Sequence, residues 1–131
     1  MVDGTFATAV NCIDGRVQEP VVRWMRRRLG VDFVDAVTEA GPDGVFSHGR
    51  TADLESIRRR VTMSLTKHHS IAVAVVGHHD CAANPVAADT HRDQIRHAVD
   101  IVRSWMLPVA LFGLWVDERW AVQEVCHRPG T

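Results

Sequence analysis

A chain of 131 residues, 46% hydrophobic and 24% charged, carries enough apolar material for one folded domain with its own core, without disulfide support. Fifteen basic against sixteen acidic side chains give a formal net charge of −1, which excludes the strong positive field that captures nucleic acid or an anionic membrane surface. Three cysteines argue for metal or free thiols over a disulfide framework. With neither a basic leader nor about 18 consecutive apolar residues, the expectation is a cytoplasmic protein that does not span a membrane.

Taken in chain order, residues 6–12 (Phe-Ala-Thr-Ala-Val-Asn-Cys) read as a first strand. Pro20 suits the first turn of a helix that runs to Leu29 and stops at Gly30, with Val21, Met25 and Leu29 on one face. Residues 32–38 form a second strand, and the run Ala40-Gly41-Pro42-Asp43-Gly44 reads as a loop. Asp53 is placed as the cap of a helix carrying Leu54, Ile57, Val61 and Leu65 and ending near His68-His69. Residues 71–76 (Ile-Ala-Val-Ala-Val-Val) are apolar throughout. Such a run belongs to a strand buried on both faces, here the central strand of a parallel sheet covered by helices.

A further helix begins near Asp89, with Thr90 and Asp93 spaced as a capping box and Ile95, Val99, Val102 and Met106 facing inward, before Pro108. Residues 109–116 make a last apolar strand, 117–119 a turn, and 120–125 pair back as a hairpin. The order βαβαβαββ implies one α/β domain over residues 1–131: a mainly parallel central sheet flanked by helices, with a C-terminal antiparallel hairpin. Sheets of this kind place ligands beyond the carboxyl ends of their strands.

Cys12 and His78 stand at two such ends, and Cys81 follows His78 by three residues in Gly77-His78-His79-Asp80-Cys81-Ala82. Two thiolates and an imidazole suit Zn²⁺ and disfavour magnesium or calcium, and three protein ligands leave a coordination position open, as catalytic zinc sites do. The competing reading makes Cys12 and Cys81 buried small hydrophobes and His78 a hydrogen-bonded loop histidine. Asp14 and Arg16, two and four residues beyond Cys12, can join in a bidentate ion pair that keeps the carboxylate ionised and aimed. The plain alternative is a surface salt bridge of small energetic value.

Together, Cys12-Ile13-Asp14-Gly15-Arg16 and Gly77-His78-His79-Asp80-Cys81 resemble the β-class carbonic anhydrase signature, Cys-x-Asp-x-Arg followed by His-x-x-Cys. Glu39-Ala40-Gly41 sits where that family has a short Ala-Gly turn, and residues 111–125 resemble its closing strands. The resemblance implies one Zn²⁺ per chain, with Cys12, His78 and Cys81 as ligands, and reversible hydration of CO₂ to bicarbonate by a zinc-bound hydroxide oriented by Asp14 and Arg16. In some members the aspartate binds the metal as a fourth ligand in a closed state, and the resemblance implies the same option for Asp14. The resemblance also implies a homodimer or higher homo-oligomer. Alternatives within the same resemblance are a zinc hydrolase of carbonyl sulfide or carbon disulfide, and a zinc-binding relative without turnover. Five residues precede the first strand, where the family carries a helical arm. Gly15, Thr38-Glu39 and Ala82 depart from its usual residues.

The remaining features read as structural. Arg26-Arg27-Arg28 and Arg58-Arg59-Arg60 lie on helices with inward apolar faces, against nucleic-acid binding. His48 and His79 read as loop histidines with proton shuttling as the alternative, and Asp80 as a loop carboxylate or a hydrogen-bond acceptor for a ligand. Trp24, Trp105, Trp115 and Trp120 are expected in the core or at subunit contacts, and Cys126 is the spare thiol.

Overall fold

The computed structural model describes residues 3–130. Strand β1 (Phe6–Cys12) is followed by one 3₁₀ turn (Gly15–Val17) that leads into α1 (Gln18–Leu29). Then come β2 (Phe33–Glu39), α2 (Pro42–His48), α3 (Thr51–His68), β3 (Ala72–His78), α4 (Ala88–Ser104), β4 (Ala110–Val116) and β5 (Val122–Arg128). The five strands lie in the order β2-β1-β3-β4-β5. Every pairing is parallel except β4 with β5, which is antiparallel and carries an irregularity at Gly113/Leu114.

Two apolar layers sandwich the sheet, and strand alternation assigns residues to them. Ala7 and Ala9 of β1, with Ala72, Ala74 and Val76 of β3, pack with Val21 and Met25 of α1. Val10, Val73 and Val75 point the other way, onto Ile57 and Val61 of α3 and Ala98, Val99 and Val102 of α4. All seven residues of β3 are buried, as its unbroken apolar run requires of a central strand. Thr8, wholly buried in this second layer, is satisfied by hydroxyl partners: Ser64 and Ser70 both lie 2.7 Å from it. Ser64 in turn donates to Asp35, which also holds His68 at 2.6 Å. No helix is long and apolar enough to cross a membrane among the described residues.

The elements differ from expectation at their ends. The segment read as a loop at residues 40–44 opens a seven-residue helix, α2. Pro42 fits its first turn, and Gly41, at φ +65°, supplies the left-handed entry. Asp53 lies inside the first turn of α3, where its carboxylate accepts the Arg50 backbone N–H. Thr90 and Asp93 form no capping box, because α4 already starts at Ala88. Met106 is 85% exposed: α4 ends at Ser104, and the chain turns through a left-handed residue (φ +59°) on the way to Pro108. The last strand runs 122–128, not 120–125, since Trp120 belongs to the turn (φ +61°).

Helix α4 approaches the sheet closely because two adjacent strands present glycines beneath Ile95. A Cβ at Gly113 would lie 2.6 Å from an Ile95 methyl and 2.8 Å from the Cys126 sulfur, and one at Gly77 would lie 2.9 Å from another Ile95 carbon. Gly113→Ala therefore overpacks this seam and is expected to lower stability by about 1–3 kcal/mol in urea unfolding. Unchanged stability would show that Ile95 and Cys126 can both give way.

Candidate metal centre

Cys12 ends β1 and His78 ends β3, and these strands are parallel neighbours. Their register pairs Thr8 with Val73 and Val10 with Val75, so its continuation sets Cys12 level with Gly77 and His78 one residue beyond. Cys81 comes from the turn that follows. All three are buried, at 3%, 1% and 3% exposure. Their ligand atoms lie within 4.8 Å of one another, the only such group of His, Cys, Asp or Glu residues among the described residues, and one that can hold a metal ion. Cys126, by contrast, lies on β5 against Gly113 and takes no part.

The imidazole is oriented from behind. His78 Nδ1–H donates to the His79 carbonyl at 2.7 Å, which leaves the Nε2 lone pair facing inward. Nε2 is buried and has no hydrogen-bond partner, an expensive state for a polar atom that bound metal would relieve. Burial lowers the pKa of this imidazole, but Cys12, the His79 carbonyl and Asp14 together more than offset it and leave it raised.

The thiols differ sharply. Burial opposes ionisation of Cys12, but His78 and the backbone N–H groups of Asp14 and Gly41 overcome it and lower its pKa to about 7. Burial and the adjacent Cys12 push Cys81 up to about 11, against the N–H groups of Asn84 and Ala83. Two thiolates side by side repel, so both ionise together only with a cation between them. Gly41 is fixed by this geometry: besides its left-handed φ, a Cβ there would lie 3.3 Å from Cys81 Sγ and 3.0 Å from the Asn84 Cβ.

Beside the cluster, Asp14 and Arg16 form a bidentate pair. Arg16 Nη2 lies 2.6 Å from Asp14 Oδ2 and Nε 3.0 Å from Oδ1, and the Arg16 backbone N–H donates to Oδ1 at 2.9 Å. The guanidinium hydrogen bonds lower the Asp14 pKa to about 2. Asp14 is thus an ionised, fixed acceptor two residues from Cys12.

A family model described as "Putative carbonic anhydrase" matches residues 2–126. The chain belongs to this carbonic anhydrase family. Its fold is similar to that of a carbonic anhydrase from Glaciozyma antarctica, with a TM-score of 0.60 at 16% identity over 92% of this chain and 81% of that one. β-Carbonic anhydrase isoform I of Trichomonas vaginalis gives 0.61 at 15% identity, over 95% and 83%. A tetrameric β-carbonic anhydrase of Sordaria macrospora gives 0.52 at 12%, over 93% and 81%. No curated protein matches the sequence.

In this carbonic anhydrase fold, several supporting residues escape sequence reasoning. His91 on α4 and Asp43 on α2 meet at 2.6 Å with 2% and 1% of their side chains exposed, which joins the two helices inside the protein. A Cβ at Gly77 would lie 2.5 Å from the same Asp43 oxygen, so the pair packs against the residue that precedes His78. The available signal was the position of His91, one turn before Ile95 on the inward face of α4. Gln18 donates to the Cys12 carbonyl, and Asn11 accepts the Cys12 N–H at 2.8 Å. Asp80 faces Arg16, at 3.2 Å, and not a cluster residue. Trp120 is a contact of the site: its ring lies 4.5 Å from the Arg16 guanidinium carbon. The cleft of about 400 Å³ between α1 and β5, walled by Arg23, Trp24, Arg27 and Trp120, contains none of the three cluster residues.

The asymmetry of the thiols gives a pH signature. In metal-free protein, thiolate absorbance at 240 nm is expected to rise in a first step near pH 7 and in a second near pH 11. Because the two groups interact, both steps belong to the pair. Cys12→Ser should remove the early step, and a single step near the ordinary thiol value in the wild type would contradict the geometry.

Proposed function

We propose that this chain is a zinc-dependent β-carbonic anhydrase that reversibly hydrates CO₂ to bicarbonate, with Cys12, His78 and Cys81 as its metal ligands. The observation that carries the reading is the buried, unpartnered Nε2 of His78 converging with two thiols beside an arginine-held carboxylate. Two sulfurs and one imidazole nitrogen are the donor set of a borderline-soft dication, and the buried pair of thiols lacks only its positive charge. Zinc, when bound, lowers the pKa of water toward about 7 and makes a nucleophile available at neutral pH.

The chain's own residues then supply position. Asp14, acceptor-only while ionised, takes the hydrogen bond of the attacking water and turns its free lone pair toward the carbon of CO₂. Arg16 keeps Asp14 ionised. With an Asp14 pKa of about 2, the acceptor is already charged at every pH above 5. A carboxylate depressed in this way contributes stability that is present above its ordinary value of 3.8 and lost as the pH falls toward 2. Asp14 and Arg16 are exposed enough that this contribution is small. Its service is orientation.

The single-domain reading of residues 1–131 and the cytoplasmic setting belong to the same proposal, as does assembly into a homodimer or higher multiple. The tetrameric state of the Sordaria macrospora neighbours supports the last of these.

Metal analysis with stopped-flow CO₂ hydration tests the reading. The expected result is about one zinc per chain and turnover in the wild type. Asp14→Asn should reduce kcat by about 10²–10⁴-fold, the range for a positioned proton acceptor, with zinc retained. Arg16→Ala should lose at least tenfold. Stoichiometric zinc without hydration between pH 7 and 9 would overturn the assignment.

A further inference from the structure

We propose that Trp120, together with Asp80, is a positioning residue that locks the Arg16 guanidinium in the orientation that aims Asp14. The inference rests on the reading of Asp14 as the acceptor above, and it assigns roles that neither the signature motif nor the cluster contains.

Arg16 is long and its side chain is 46% exposed. Left to Asp14 alone it would be an ordinary surface partner, free to trade its carboxylate for water. The structure instead gives the guanidinium partners along its edges and over one face. One edge, Nε and Nη2, grips Asp14; Nη2 also donates to the Asp80 carbonyl and Nη1 to the Asp80 carboxylate, each at 3.2 Å. The face of the guanidinium is covered by the Trp120 indole, at 4.5 Å. Asp14, Asp80 and Trp120 come from three connections, after β1, after β3 and between β4 and β5. Arg16 is the point at which these connections meet.

The backbone supports a functional origin for the Trp120 contact above all. Four non-glycine residues have positive φ among the described residues, and two of them are Asp80 (+56°) and Trp120 (+61°). A bulky indole is a poor occupant of the left-handed region, which glycine or asparagine fills at less cost. Residues held there against preference cluster at functional sites. The buried Trp115, by comparison, packs from within β4 without such a conformation. The turn that presents Trp120 is also fastened. Asp117 accepts the N–H groups of Arg119 and Ala121 at 2.9 and 3.0 Å and the Gln123 amide at 2.9 Å, and its carbonyl accepts the Trp120 N–H at 2.9 Å. The loop carrying Asp80 is tied to the same strand end by His79 N–H donating to the Val116 carbonyl at 2.8 Å.

The test uses the full chain reconstituted with zinc and compares Trp120→Leu, Trp120→Phe and Asp80→Asn. Its first readout is the Arg16 Nε–Hε NMR signal, which reports the ring above it and its protection from exchange, and requires no turnover. The second is kcat and KM for CO₂ hydration, with the melting temperature measured alongside. In Trp120→Leu the Hε signal should lose its ring-current shift and broaden by exchange. Its kcat should fall about three- to tenfold, the range a cation–π contact commands, with KM little changed. Trp120→Phe should retain the signal and recover most of kcat at a similar melting temperature. Asp80→Asn should quicken Hε exchange and lower kcat by about two- to threefold, less than Trp120→Leu, since the carbonyl contact and the indole remain.

An unchanged Arg16 signal in Trp120→Leu overturns the proposal, as does an equal loss in the Leu and Phe variants, which would make Trp120 a packing residue only. A zinc-loaded wild type that does not hydrate CO₂, but whose Arg16 signal collapses in Trp120→Leu, retires the hydratase reading and leaves the positioning role standing.

Discussion

Everything in this molecule depends on the parallel pairing of β1 with β3. From β1 the chain crosses first to β2 on one side and later to β3 on the other, so the strand order β2-β1-β3 reverses direction between β1 and β3. The loops leaving those two carboxyl ends diverge over opposite faces of the sheet and leave a crevice, the general location of ligand sites in open α/β sheets. The register then sets the contents of the crevice. Because Val10 pairs with Val75, Cys12 and His78 reach the sheet edge within one residue of each other, and a turn of three further residues brings back Cys81. A slip of one residue in either strand would send one of these side chains to the other face.

The two strands of that pairing are legible in the sequence because each is a short-range pattern. The unbroken apolar run over residues 71–76 reads as a strand buried on both faces, as β3 is from Ala72 onward, while Ile71 stays outside it and exposed. The alternation in β1 sends Ala7 and Ala9 to one layer and Val10 to the other. The two motifs at the strand ends can be read in the same way, because sulfur and imidazole at carboxyl ends need no tertiary information to be recognised. What the sequence conceals is set by contacts between distant segments. Residues 42–48 are too few to show a helical period, and Asp43 gains its partner only when α4 delivers His91 across the core. Trp120 has the composition of a core residue, yet its role follows from the left-handed turn that carries it to Arg16. Capping patterns mislead for a related reason. Thr90 and Asp93 have the spacing of a capping box, but α4 begins earlier, so those residues lie inside it.

The two cysteines of the cluster are chemically identical in sequence and unlike in the fold. Cys12 receives the N–H groups of Asp14 and Gly41 and has His78 at its side, so its charge is supported from several directions. Cys81 also receives two backbone N–H groups, but they must contend with burial and with the charge on Cys12. The protein therefore stabilises one thiolate readily and the second only at high pH. A dication between them would reverse the sign of their coupling: the charge that holds Cys81 protonated would become half of the attraction that binds metal.

Gly41 connects these arguments. Its left-handed φ opens α2 and so brings Asp43 to His91; its missing Cβ leaves room for Cys81 and Asn84; its N–H helps to lower the Cys12 pKa. A side chain at this position would strain the turn and crowd the sulfur at once, and the displaced backbone would carry away one of the donors that keep Cys12 ionised. The electrostatics of the cluster thus belong as much to backbone conformation as to the three ligand side chains. The same holds on the other side, where left-handed residues at Asp80 and Trp120 carry the groups that surround Arg16. The site is assembled by turns whose unusual dihedral angles bring polar backbone and side-chain atoms to distances that regular strands and helices do not reach.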